Sequence, residues 1–229
     1  MRAAKSSKSN KPMDDVQPGS RAAAVAPKAP ELRAEVQEFK RRRILEEARE
    51  LFFAQGYEST TLDAIAESLN VTKPFLYSYF RNKSEILNAI CEIGITESIA
   101  AQSEVLGMTL APPEKLRLIV ESVTNVVIRD QKYVVVYNRE EKNLEAAEQK
   151  HLLELRKEFD VRLAKLLEEG NATGDFDVPN PRMLAVSISG MLTWVATWYR
   201  ARSKYALTDV VVHMIDTVER MVSRRPRAK

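Results

Sequence analysis

Apolar residues recur with the period of an α-helix along most of the chain, beginning near Val36. Gly56 follows the first such segment at a point where a helix would end, because glycine readily adopts the left-handed conformation of a C-terminal cap. The run "YVVVY" at 133–137 has strand propensity but lies among helix formers, so a helix is predicted there as well. The pattern therefore predicts an all-α fold, with helices at about 36–55, 62–69, 73–80, 85–108, 112–130, 132–146, 148–170, 181–202 and 208–223.

Two short helices joined by a tight turn follow the first helix. Thr61 suits the N-cap of the first short helix, and Asp63 in its first turn favours the positive end of the helix dipole. Asn70 lies at the turn, where its side chain tolerates a left-handed backbone. Thr72 suits the N-cap of the second short helix, with Pro74 in the first turn, where a missing N–H costs little. This spacing predicts a helix-turn-helix.

The segment 70–85, "NVTKPFLYSYFRNKSE", joins four aromatic residues to three basic ones and has no acidic residue before Glu85. A helix face of this charge attracts DNA, which is a polyanion. The residues predicted to anchor the second short helix on its inner side are Leu76, Tyr79 and Phe80. The outward residues predicted to reach phosphates or bases are Thr72, Lys73, Phe75, Tyr77 and Ser78. Lys83 is predicted to reach the DNA backbone, and Ser84 to cap the helix that follows.

Composition narrows the class of protein. The 229 residues carry a net charge of only +3. Binding to nucleic acid would therefore depend on where the positive charge is concentrated. Cys91 is the single cysteine, which excludes an intramolecular disulfide and fits a reducing compartment, so a cytoplasmic protein is expected. Residues 1–36 lack an apolar period and are predicted as a disordered arm. The uncharged run 183–199 is short for a membrane span, so it is predicted as a core or interface helix, with no membrane partner.

The segment from Ile44 to Leu87 is similar to the DNA-binding domain of TetR-family transcriptional regulators. The resemblance is carried by Ala48, Leu51-Phe52, Gly56-Tyr57, Thr60-Thr61, Ile65-Ala66, Val71-Thr72-Lys73, Leu76-Tyr77, Phe80 and Lys83-Ser84. It implies a three-helix, helix-turn-helix DNA-binding domain at 37–88 and a C-terminal helical ligand-binding and dimerisation domain at 89–229. Pro74 stands where many members have a small residue, which alters the surface offered to bases. The implied DNA-binding residues are Thr60, Thr61, Thr72, Lys73, Pro74, Phe75, Tyr77, Ser78, Tyr79 and Lys83.

The resemblance also implies a homodimer on double-stranded operator DNA, paired through the helices near 181–202 and 208–223. The last helix carries an apolar stripe that either joins two subunits or is buried in its own subunit; its members are Leu207, Val211, Ile215, Val218 and Val222.

A second resemblance concerns the segment 174–211, which looks like the tail of TetR-type regulators of lipid, aromatic or steroid catabolism. It is carried by Gly190, Trp194, Trp198 and Tyr199. It implies a small hydrophobic inducer such as an acyl-CoA thioester. The residues expected to bind it are Tyr137, Arg156, Met191, Trp194, Trp198 and Arg200. Packing of the two tryptophans at the dimer interface is the alternative interpretation.

Other classes of protein fit less well. The two histidines, His151 and His213, fall in no catalytic motif, so neither an enzyme nor a cofactor is expected. Glu148, His151 and Glu154 share a helix face and would serve a metal-dependent helical enzyme, but such a set is more often a solvated face, and no metal is expected. A ligand-free architectural DNA-binding protein would not need the long helical part after residue 88. We therefore predict a ligand-responsive regulator, a repressor released from its operator by an inducer through the helix at 85–108.

Overall fold

The computed structural model describes residues 29–200 and 204–223. The helices within these ranges are α1 (Ala29–Gln55), α2 (Leu62–Ser68), α3 (Lys73–Tyr77), α4 (Lys83–Leu106), α5 (Pro112–Arg129), α6 (Gln131–Glu140), α7 (Ala146–Thr173), α8 (Pro181–Trp198) and α9 (Leu207–Val222), with a 3₁₀ turn at Glu141–Asn143. None of the residues described is in a strand. The predicted all-α fold is confirmed, including the helix through 133–137.

The first helix begins earlier than its apolar period indicates. It starts at Ala29 rather than near 36, because the segment "APELRAEVQ" consists of good helix formers with a proline in the first turn. For residues 29–36 a helix thus replaces the predicted disordered arm, whereas residues 1–28 lie outside the described part of the chain. By its internal contacts the chain divides into two units after Gln37. Residues 29–37, at the start of α1, are the part of the first unit that the structure describes.

The turns of the helix-turn-helix follow the local signals in the sequence. Gly56 ends α1 with a φ of 88°, and Asn70 has a φ of 53° in the turn between α2 and α3. The backbone N–H of Ala64 donates to Thr61 Oγ1 at 3.0 Å, which makes Thr61 the N-cap of α2 as predicted. Thr72 occupies the N-cap position of α3 without a side-chain cap bond.

The start of α4 differs from its prediction. Asn82, not Ser84, is the N-cap, since the backbone N–H of Glu85 donates to Asn82 Oδ1 at 2.8 Å. The helix therefore begins two residues earlier than predicted, at Lys83, and follows α3 after a short turn.

Two hydrophobic clusters form the core. In the first, α1 to α3 pack around Ile44, Phe52, Ile65 and Leu76, and the cluster continues into α4, α6 and the start of α7. Each of these four side chains is at most 1% exposed. The cluster extends past the domain boundary predicted at 88, so the helix-turn-helix region rests directly on α6. That contact places the two parts of the chain in position to influence each other.

The second cluster joins α5, α7, α8 and α9. It buries four of the five residues of the α9 stripe, Val211, Ile215, Val218 and Val222, within the same chain. Burial in its own subunit is thus the alternative that the structure supports for this stripe. Among the residues described, no helix is both long and apolar enough to cross a membrane.

Candidate functional site

Five of the residues predicted to bind DNA form an exposed surface on and beside α3, here called the α3 face. They are Thr72, Lys73, Pro74, Tyr77 and Ser78. Thr61, at the start of α2, is exposed as well. The Leu76 side chain holds the opposite side of α3 in place. It is 1% exposed and packs in the first hydrophobic cluster. A short helix held on one side with a polar, aromatic and basic outer side is what base and phosphate contacts require.

The aromatic residues of α3 divide between the two sides. Phe75 and Tyr79 are half-buried and lie against each other, with ring centroids 5.1 Å apart. Phe80 is 3% exposed and belongs to the core, as predicted for an anchor. Tyr77 is 50% exposed and points away from it. Phe75 was predicted to face outward, but its ring is half-buried against Tyr79.

Thr60 is placed differently from the prediction. Its side chain is completely buried, and its hydroxyl donates to the Gly56 carbonyl at 2.8 Å while accepting from Gln55 Nε2 at 3.2 Å. This hydroxyl closes the loop between α1 and α2 and does not face outward. A direct phosphate contact by Thr60 is not available in this conformation.

Lys83 is also occupied within the protein. Its ammonium donates to the carbonyls of Tyr57 at 2.8 Å and Thr60 at 2.9 Å, and more weakly to that of Glu58 at 3.4 Å. It also lies 4.1 Å from the centroid of the Tyr57 ring. These contacts tie the start of α4 to the loop between α1 and α2. In this conformation, Lys83 holds that loop in place instead of extending toward a phosphate.

Lys73 carries a contact that the sequence pattern did not indicate. Its ammonium donates to Asp63 Oδ2 at 2.9 Å, and this hydrogen bond raises the pKa of Lys73. Both side chains are well exposed, so water competes strongly for the pair and the contact is easily exchanged for another anion. Lys73 is thus a charged group of the α3 face held in place by α2.

A cavity of about 960 Å³ lies among α4, α5, α6, α7 and α8. Cavities that hold small ligands are commonly about 300–1,000 Å³. Its apolar wall includes Ile95, Val127, Leu152 and Phe159, and hydroxyl groups come from Ser98 and Thr193 among others. Size and lining both suit a small molecule with an apolar body.

The charged residues of the cavity are mostly basic. Of the described residues that line it, four carry positive charge and one, Asp160, carries negative charge; the four are Lys132, Arg139, Arg156 and Arg200. Asp160 accepts a hydrogen bond from Ser189. The excess of positive charge favours a ligand with an anionic group.

Four of the six residues predicted to bind a ligand line the cavity: Tyr137, Arg156, Trp194 and Arg200. The Arg156 guanidinium lies 4.5 Å from the centroid of the Tyr137 ring, and burial raises the pKa of the Tyr137 hydroxyl. Met191 packs on the second hydrophobic cluster, and Trp198 stacks edge-on with Tyr199, so neither belongs to this lining. The sequence prediction did not include Lys132 and Arg139 among the ligand-binding residues, although their separation by two helical turns places them on one face of α6.

The same α6 residues contact the helix-turn-helix region. Arg139 donates to the carbonyls of Phe52 and Phe53 at the end of α1. Lys132 pairs with Glu50 of α1; although burial raises the pKa of Glu50, hydrogen bonds from Lys132 and Arg49 outweigh it and lower that pKa.

Glu140, the last residue of α6, extends the junction. It is 6% exposed, and its Oε1 accepts from the Tyr57 backbone N–H at 3.3 Å. One helix therefore lines the cavity and holds both α1 and the loop that follows it.

The metal site considered from the sequence is not formed by the residues described. His151 Nε2 lies 3.2 Å from Glu92 Oε1, whereas Glu154 pairs with Lys157. Within residues 29–200 and 204–223, no group of three or more His, Cys, Asp or Glu residues is arranged to hold a metal ion.

Two family models match the chain. Residues 44–90 match the model of bacterial regulatory proteins of the tetR family, and residues 109–222 match a tetracyclin repressor-like C-terminal domain. The first range contains the helix-turn-helix, and the second contains most of the residues that line the cavity.

Individual relatives agree with these matches. The HTH-type transcriptional repressor KstR2 of Mycolicibacterium smegmatis is 26% identical over 163 residues, which cover 70% of this chain and 80% of that protein. The TetR family transcriptional regulator PfmR from Thermus thermophilus superimposes with a TM-score of 0.72 and 27% identity, covering 80% of this chain and 100% of the other. AibR in complex with isovaleryl coenzyme A and operator DNA superimposes with a TM-score of 0.69 and 25% identity, covering 78% and 97%. The chain belongs to the TetR family of bacterial transcriptional regulators.

Proposed function

We propose that this regulator is a repressor that binds operator DNA as a homodimer and leaves it when an acyl-CoA thioester occupies the cavity. The observation that carries the proposal is the cavity of about 960 Å³, in which an apolar wall is combined with four basic residues. An acyl chain would bury against the wall, and the phosphates of CoA would pair with the cations. The relative KstR2 is named a repressor, and AibR has been crystallised with isovaleryl coenzyme A and operator DNA.

The α3 face is proposed to enter the major groove of the operator. Lys73 and Tyr77 are the two exposed side chains of α3 long enough to reach base edges, with Thr72 and Ser78 beside them for phosphate oxygens. Thr60 and Lys83 are assigned a positioning role, because their polar groups hold the loop between α1 and α2.

Transmission from the cavity to DNA is proposed to run through α6 and α4. The basic groups of Lys132 and Arg139 line the cavity and also hold α1, so an anionic ligand competes with Glu50 and the α1 carbonyls for them. Helix α4 contributes Cys91, Gly94 and Ile95 to the cavity and begins next to the helix-turn-helix. A ligand shifts the equilibrium only if it binds one arrangement of these contacts better than the other.

The testing experiment measures binding of the purified protein to labelled DNA from its own upstream region by fluorescence anisotropy. The titrants are isovaleryl-CoA, palmitoyl-CoA, the two free acids and CoA alone. We expect release by a thioester but not by its acid. Operator binding that no member of the panel changes would overturn the acyl-CoA assignment, and a failure to bind any upstream DNA specifically would count against the repressor itself.

Two variants test whether the ligand binds in the cavity. Arg156→Gln removes one lining cation, whereas Lys157→Gln removes its exposed neighbour, which does not line the cavity. Hydrogen bonds to charged groups contribute about 1.5–3 kcal/mol, so Arg156→Gln should raise the thioester concentration needed for release roughly tenfold or more. Lys157→Gln should leave that concentration unchanged; equal effects of the two substitutions would place the ligand elsewhere.

A further inference from the structure

Four consecutive basic residues, Lys40, Arg41, Arg42 and Arg43, lie in the middle of α1. They are called the basic run below. They end immediately before residue 44, where the match to the family's DNA-binding model begins. The basic run is therefore a feature of this chain outside the segment that defines the helix-turn-helix.

The geometry brings two members of the basic run beside α3. Lys40 and Arg41 lie one helical turn before the buried Ile44 and Leu45, so they continue the inward side of α1 past the end of the core. Lys40 Nζ lies 6.0 Å from the centroid of the Phe75 ring, and Phe75 is in α3 itself. The Arg41 guanidinium lies 5.1 Å from the centroid of the Phe80 ring.

The charge of these two residues is not neutralised by the residues that the structure describes. In that part of the chain, neither Lys40 nor Arg41 forms an ion pair with a carboxylate. Arg43, by contrast, pairs with Glu46 at 2.6 Å, and Lys73 of the α3 face pairs with Asp63. Two cations that lie against aromatic rings remain able to attract an anion at the side of α3.

We propose that Lys40 and Arg41 form a second phosphate-binding site, so that the DNA contact extends from the helix-turn-helix onto α1. The inference rests on the proposed operator binding. Its ligand is the sugar-phosphate backbone at the edge of the groove that α3 occupies. Phosphate oxygens rather than base edges are the partners, because the two head groups already lie against ring faces at the flank of α3 and not on its exposed side. Such contacts add affinity and fix orientation without reading sequence.

A purely structural role makes a different prediction. If the two cations only cover the rings of Phe75 and Phe80, replacing them changes the unfolding of the protein and leaves the salt dependence of DNA binding alone. Phosphate contacts, in contrast, release counterions, so that each one steepens the fall of log K with log salt by about 0.9. The salt slope therefore separates the two roles.

The experiment measures the affinity for operator and random DNA across a salt series, with Lys40→Gln/Arg41→Gln as the test variant. We expect its salt slope to be smaller than that of the wild type by about 1.8, for two lost contacts, on both DNAs. The charge-retaining Lys40→Arg/Arg41→Lys should keep the wild-type slope. Lys165→Gln, which removes an exposed charge from α7, is the control for net charge and should also keep it.

The outcomes distinguish this inference from the proposed function. Specific operator binding with an unchanged slope in the double variant overturns the second phosphate site and leaves the repressor in place. A lowered melting temperature with an unchanged slope identifies a covering role and overturns it as well. If the double variant does not fold, Lys40→Gln alone gives the test, with an expected loss of about 0.9 in slope. Wild-type protein that binds no upstream DNA specifically would overturn the proposed function first.

Discussion

Lys83 illustrates at the residue scale how a charge near a DNA-binding helix can serve the protein itself. Its ammonium donates to the carbonyls of Tyr57 and Thr60, and the Thr60 side chain is buried. Removing the donor leaves the Thr60 carbonyl without this partner, whereas the Tyr57 carbonyl still accepts from the Thr60 backbone N–H at 3.2 Å. An unsatisfied buried polar group costs about 1–3 kcal/mol.

Lys83→Met keeps the aliphatic stem and deletes the donor. We expect the free energy of unfolding to fall by about 1–3 kcal/mol in urea titrations. The salt slope of DNA binding should stay at the wild-type value, because no phosphate contact is lost. Normal stability with a slope reduced by about 0.9 would instead assign Lys83 to the DNA backbone.

Tyr77 and Phe80 provide a matched aromatic pair at the same scale. Phe80 is 3% exposed, and deleting a buried Phe side chain costs about 3–5 kcal/mol, so Phe80→Ala should unfold the helix-turn-helix region. Tyr77 is 50% exposed, so Tyr77→Ala should unfold at the wild-type urea concentration while binding the operator more weakly. Urea unfolding and anisotropy on both variants check this, and a wild-type unfolding curve for Phe80→Ala would contradict its role as an anchor.

At the scale of elements, the end of α7 depends on a glycine for packing. A Cβ added at Gly170 would lie 1.9 Å from Cδ2 of the Phe176 ring, and Phe176 is buried. Overpacking of a core costs about 1–3 kcal/mol, so Gly170→Ala should lower the melting temperature. Gly190 in α8 has no atom within 4 Å of the same position, and Ala there is favoured over Gly by about 0.5–1 kcal/mol. Thermal melts that rank the two variants the other way would refute this account.

The elements also show where sequence reasoning reaches its limit. Thr61, Asn70 and Gly56 act through neighbours a few residues away, so these features were predictable from local pattern, although the cap predicted at Ser84 is formed by Asn82. The contacts that differ from the predicted site join residues far apart in the chain. Lys83 contacts Thr60, 23 positions away, and Lys132 contacts Glu50, 82 positions away. Such pairs depend on how helices pack, which periodicity alone does not specify. The same limit applies to the cavity. Its cations on α6 line it because of how α1 and α7 pack around that helix.

At the scale of the whole molecule, α8 carries an exposed apolar stripe that a second copy would cover. Met183 is 67% exposed, Val186 57% and Trp194 61%, with Trp198 at the end of the same side. Exposed apolar residues grouped in this way are typical of protein interfaces. The proposed homodimer therefore uses the side of α8 that carries these residues, two of which, Val186 and Trp194, also line the cavity, whereas most of the α9 stripe serves the core of its own subunit.

The dimer is tested with charges placed outside the cavity. Met183→Asp/Trp198→Asp alters two exposed residues that do not line it, and a carboxylate in the first turn of α8 is compatible with the helix. Light scattering should give a wild-type mass of twice 26.0 kDa and a variant mass of 26.0 kDa. Val161→Asp on α7, another exposed apolar position, is the control and should leave the mass unchanged. A monomeric wild type would contradict the proposed dimer.

The proposed coupling between cavity and DNA makes a prediction in both directions. If a thioester lowers operator affinity by some factor, the operator must lower thioester affinity by the same factor, typically about 5–150-fold. Anisotropy with and without saturating palmitoyl-CoA gives the first factor. Calorimetric titration of palmitoyl-CoA into free protein and into the operator complex gives the second. Thioester affinity that is the same in the two titrations would show that cavity and DNA are not coupled.

The junction on α6 is where this coupling should be weakened. Arg139→Gln removes the guanidinium that holds the carbonyls of Phe52 and Phe53, while most of the cavity wall remains. Because the ligand then has less of the α1 contact to compete with, we expect both coupling factors to fall together, with operator affinity retained in the unliganded protein. Arg129→Gln, at the end of α5, removes an exposed arginine that pairs with Asp130 and Glu97 and should leave both factors unchanged. A full response to palmitoyl-CoA in Arg139→Gln would move transmission from α6 to α4, which also lines the cavity and begins beside α3.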